Sequence, residues 1–156
     1  MAFDLNRFRQ EAPLIKPRTA TLDLPSLQYW FGEDTEPKWT VRSLNGVEMA
    51  IADDVKGRAK LFLAAAEAIS EASYSSQLDA FKALFQTKDN PPAAYIKKLD
   101  YLTFCSVDPQ ISREDAVYLF AIHPLEAYTI AATIEEITKM GPELGKAQNS
   151  TNAPMS

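Results

Sequence analysis

Hydrophobic and polar positions change period along this chain, and each change marks an expected element. Residues 18–24, RTATLDL, set Thr19, Thr21 and Asp23 against Ala20, Leu22 and Leu24, an alternation that predicts a half-buried edge strand. Prolines at Pro13, Pro17, Pro25 and Pro37 deny the surrounding backbone the donors and angles of a long helix, so an extended arm is expected. Residues 27–31, LQYWF, place large side chains before a turn over 32–37, and 39–41 resume the extended pattern. Together they predict a small hairpin or arm laid against the remainder.

Beyond Val47 the spacing turns helical, with Asn45 as the expected cap and Gly57 expected to end or bend the first helix. Residues 58–72 carry Leu61, Phe62, Ala65, Ile69 and Ala72 at helical spacing, and their run of alanines permits close approach by a neighbouring helix. A break is expected at Ser73 to Ser76. The next helix, 77–85, sets Leu78, Phe81, Leu84 and Phe85 on one stripe. Asn90 followed by Pro91 and Pro92 reads as a helix start. That helix, 92–104, is expected to bury Tyr95, Leu99 and Leu102 and to turn Lys97, Lys98 and Asp100 to water.

The signals are densest over residues 106–141, SVDPQISREDAVYLFAIHPLEAYTIAATIEEITKMG. Asp108-Pro109 makes a turn, and Ser112 with Asp115 forms a capping box with a carboxylate shorter than the usual Glu. Pro124 either kinks the helix over 113–122 or starts a new one. The last helix, 125–140, offers Tyr128, Ala131, Ile134 and Ile137, or Ala127, Ile130 and Ile134, as its apolar face, and stops at Gly141-Pro142. The expected fold is mainly α, a small domain of five or six helices with an extended N-terminal arm forming a short strand or hairpin. Its divisions are an arm over 1–40, a helical domain over 41–141 and a flexible tail over 142–156. No repeat and no sustained heptad is visible.

Composition narrows the functional classes. Sixteen Lys and Arg stand against 21 Asp and Glu, a net charge of −5, which disfavours a nonspecific grip on nucleic acid. No apolar run approaches the roughly 18 residues of a membrane-spanning helix, and the first residues do not read as a secretion signal. The single cysteine, Cys105, forms no intrachain disulfide and suits a reducing compartment.

With one histidine, His123, and one cysteine, the usual multi-ligand zinc site cannot be assembled. A Cys105 and His123 nucleophile pair is formally open, but both lie in apolar surroundings where packing or capping is the commoner role. Acidic neighbours such as Asp53-Asp54 and Glu135-Glu136 point about a third of a turn apart and read as solvated faces. Gly46, Gly57 and Gly145 match no phosphate-binding loop. Neither enzymatic activity nor a cofactor is expected.

Two groups are candidates for partner binding. Arg7, Arg9, Lys16 and Arg18 outnumber Asp4 and Glu11 near the N-terminus, reading as an arm for an acidic surface or as a solubilising tail. Tyr29, Trp30, Phe31 and Trp39 read as satellite core or as an exposed docking patch.

The segment WTVRSLNGVEMA over 39–50, of the form W-x-V-R-x-L-x-G-x-E, followed by helices and the S-V-D-P turn at 106–109, resembles the tail assembly chaperones of long-tailed phages. The resemblance spans roughly residues 13–146, and its motifs are structural. It implies a non-catalytic protein of the infected cell's cytoplasm, missing from the finished tail. Such a protein coats the tape measure protein, keeps it soluble and helps recruit tail tube subunits. Self-association is implied, because a long client must be covered. Many members are also made in a longer form by a minus-one frameshift, and Leu144, Gly145 and Lys146 can be encoded as the slippery site. The rival readings are a helical connector retained in the virion and a nucleic-acid-binding regulator.

Overall fold

The computed structural model describes residues 2–72 and 93–143, without the side chains of 69–72. The expected break at Ser73 to Ser76, the helix over 77–85, the Asn90 cap and Leu144, Gly145 and Lys146 lie outside the described residues. The fold is mainly α. Seven α-helices and a three-stranded antiparallel sheet stand among the described residues, rather than five or six helices.

The two additional helices are in the arm. Helix α1, Leu5–Glu11, precedes the first proline and is capped by the Asp4 carboxylate, which accepts the Arg7 amide at 3.1 Å. It buries none of its residues. Strand β1, Thr19–Asp23, alternates as its sequence predicts. A 3-10 turn then leads into α2, Gln28–Phe31, a single helical turn within the expected hairpin or arm. Pro25 opens the 3-10 turn, and Gly32, at φ 87, closes α2.

Strand β2, Lys38–Arg42, is the centre of the sheet. Leu22 faces Trp39 and Ala20 faces Val41 across the β1–β2 ladder, which sends Trp39 and Val41 into the core. Helix α3, Gly46–Asp53, follows with a complete capping box between Asn45 and Glu48. It ends at Asp54 rather than at Gly57. Gly57 lies instead in the first turn of α4, Val55–Ala72, where its amide donates to Asp54 Oδ1 at 3.3 Å and an added Cβ would collide with that carboxylate.

Helix α5, Ala93–Cys105, runs directly into β3, Ser106–Asp108, a strand absent from the sequence expectation. Here the two motifs quoted above meet. Val41 pairs with Ser106, Thr40 with Asp108, and the Trp39 indole N–H donates to Ser106 Oγ at 3.0 Å in a buried bond. Arg42 ties the same corner together, donating to Glu48 at 2.6 and 2.8 Å and to the Phe104 carbonyl at 2.7 Å.

Helices α6, Arg113–Ile122, and α7, Pro124–Lys139, are the last helices among the described residues. Ser112 and Asp115 form the expected capping box, and Pro124 starts a new helix. Helix α7 buries Ala127, Ile130, Ala131, Ile134 and Ile137, while Tyr128 stays 45% exposed. Helices α4 to α7 share one core, α7 also covering β1 and β2. Arg18 joins the arm to the end of α7, its Nε donating to the Gly141 carbonyl at 2.9 Å.

One expectation fails inside the core. Asp100 is fully buried instead of facing water, because α5 is covered by α4 as well as by α6 and α7. Arg58 of α4 meets it with three contacts of 2.8 to 3.2 Å. Burial pushes the Asp100 carboxyl above its ordinary range, and the Arg58 guanidinium opposes that shift.

Candidate functional site

Beyond its charged first turn, Arg113 to Asp115, helix α6 is apolar, and it uses two stripes. Ala116, Val117 and Phe120 enter the core. Tyr118, Leu119 and Ile122 line a groove on another side, continued by Ile111 and Pro109 before the helix. The opposite wall comes from the arm: Leu27, Trp30 and Phe31, with Trp39 at its base. The groove has a volume of about 710 Å³. Among the described residues its lining holds two carboxylates, Asp108 and Asp115, together with His123.

The aromatic cluster read from the sequence is divided by this geometry. Trp39 belongs to the core, and Phe31 packs partly against it. Trp30 is 63% exposed and Tyr29 84% exposed, their rings meeting edge to face at 4.9 Å. Trp30 is held at the groove by its indole N–H, which donates to His123 Nε2 at 3.0 Å. That bond requires the lone pair on Nε2, so the imidazole proton belongs on Nδ1, 3.7 Å from Glu126. Ser26 Oγ donates to Glu126 at 2.7 Å, and hydrogen bonding from that hydroxyl is the largest cause holding the Glu126 carboxyl below its ordinary range.

Ser26, Glu126 and His123 thus form a chain, but not in the order nucleophilic catalysis uses. The serine meets the carboxylate, and the imidazole nitrogen that would act as base is taken by Trp30. Cys105 is likewise engaged elsewhere. It is buried beside Arg42, whose Nη1 lies 3.9 Å from Sγ, and burial pushes its thiol up to about 12. Among the described residues, no group of three or more His, Cys, Asp or Glu is placed to hold a metal ion. No described helix is long and apolar enough to cross a membrane.

The basic arm residues are also divided. Arg18 is half-buried and engaged with Gly141, while Lys16 is fixed through its backbone, its carbonyl accepting the Glu143 amide at 3.0 Å. Arg7 pairs with Glu11 along α1 at 3.0 Å, and Arg9 is exposed. Phe3, Leu5 and Phe8, exposed apolar side chains in and beside α1, carry no periodic signal long enough to be read from sequence. Phe3 and Phe8 meet at 5.4 Å between ring centres.

No family, no curated protein and no solved structure matches this chain in comparisons with known proteins.

Proposed function

We propose that this chain is a non-catalytic tail assembly chaperone that binds amphipathic helices of a tape measure protein. The observation that carries the reading is the groove between α2 and α6. Its wall of Trp30, Phe31, Leu119 and Ile122 is apolar, and its rim holds Asp108 and Asp115. A volume of about 710 Å³ accommodates a few large side chains projecting from one helix face rather than a whole helix. The acidic rim favours a client helix whose apolar anchors are flanked by Lys or Arg. The resemblance in the W-x-V-R-x-L-x-G-x-E and S-V-D-P motifs supports the same reading.

In this account the chaperone works in the infected cell's cytoplasm. Reversible burial of client anchors keeps the tape measure protein soluble until tail tube subunits replace the chaperone, a longer frameshifted form assisting their recruitment. Mass spectrometry of purified particles tests the reading: the chain is expected to be missing from finished tails. Stoichiometric retention in the particle would favour a connector instead.

A further inference from the structure

The chain carries a segment with the chemistry its own groove favours. Helix α1 buries no residue, and Phe3, Leu5 and Phe8 are 71, 54 and 50% exposed. Leu5 and Phe8, three residues apart, share one face of α1, and Phe3 folds onto Phe8 with ring centres 5.4 Å apart. Arg9 flanks that face, four residues after Leu5. It belongs to no ion pair among the described residues, and neither does Asp108 at the groove. An uncovered apolar face with a cationic flank and an apolar groove with an anionic rim thus lie on the same molecule.

We propose that α1 of one copy docks in the α2–α6 groove of a second copy, Phe8 and Leu5 entering beside Trp30 and Ile122 and Arg9 facing Asp108. Two different surfaces meet in such a contact, so it is heterologous and each copy retains a free groove or a free α1 for the next. The assembly extends as a chain or closes as a ring. A client helix of the same chemistry competes with α1, so the copies cover one another's grooves until a client arrives. The proposal rests on the groove being a helix-binding site, and not on the identity of the client.

Sedimentation velocity of the full chain without client tests it, over a wide concentration range. The expected result is reversible, concentration-dependent association. Phe8→Asp and Arg9→Glu each weaken it by at least about tenfold, leaving the thermal melt unchanged because neither side chain enters the core. Asp108→Arg weakens it similarly, and Arg9→Glu combined with Asp108→Arg restores it. A monomer at every concentration, an association indifferent to Phe8→Asp, or a charge swap that restores nothing overturns the proposal. Since no client is present, failure here leaves the chaperone reading to be decided by its own test.

Discussion

The Trp30 indole N–H donates to His123 Nε2 at 3.0 Å, so a side chain left 63% exposed is nevertheless fixed in direction. The bond joins the turn after β1 to the junction of α6 and α7, the two walls of the groove. Large aromatics at docking sites are worth most when their orientation is settled before binding. Trp30→Ala is therefore expected to weaken binding of an amphipathic tape-measure peptide by about 2 kcal/mol or more, with little change in Tm. Calorimetric titration beside a thermal melt checks both halves. Nitrogen NMR of neutral His123 should find its proton on Nδ1.

Arg58 and Asp100 form a pair with the carboxylate fully buried and the guanidinium side chain 12% exposed. Removing one member leaves the other charge uncompensated. Asp100→Ala is expected to cost about 3 kcal/mol or more in denaturant unfolding, while joint replacement by Asp100→Leu and Arg58→Met recovers most of the loss. Equal stability of the single and double variants would contradict this account of the pair.

The Arg42 and Glu48 contact gives a pH signature of known sign. Hydrogen bonding from Arg42 is the largest cause holding the Glu48 carboxyl below its ordinary value of 4.5. The unfolded chain therefore takes up this proton more readily than the native one. The resulting stability is present in full above pH 4.5 and fades as pH falls through the lower native value. Glu48→Gln should lower Tm at neutral pH, and its deficit relative to the parent should shrink on acidification. A pH series of thermal melts measures this.

Cys105 should be inert in the native protein. It is fully buried and its thiol is pushed up to about 12, so a thiol-specific reagent finds almost no thiolate at neutral pH. Labelling is expected only after denaturation, at one equivalent per chain. Rapid labelling of the folded protein would mean that this corner of α5 opens readily.

What could be read from sequence divides along the range of the interactions involved. The cap at Asn45, the box at Ser112 with Asp115, the interruption at Pro124 and the stop at Gly141 are hydrogen bonds or backbone angles within four residues, so spacing reveals them. Only the structure shows Glu48 completing a box with Asn45 and Pro124 starting a helix rather than kinking one. The alternation of β1 is equally local. Burial of Asp100 depends on an arginine 42 positions away, and β3 is a three-residue strand that exists through its ladder with β2. The groove needs Trp30 beside His123, 93 positions apart. The sequence located Trp30, Phe31 and Trp39 but could not say which would stay outside the core. Nor could it supply the acidic rim, because Asp108 and Asp115 read locally as a turn residue and a cap.

If the α2–α6 groove keeps an amphipathic client soluble, co-expression with the tape measure protein is where the effect should be seen. The account predicts that the client moves into the soluble fraction and is recovered in a complex with this chain. It also predicts that Trp30→Ala loses both effects while remaining folded. A tape measure protein equally insoluble with and without the chain, and no complex recovered, would contradict it.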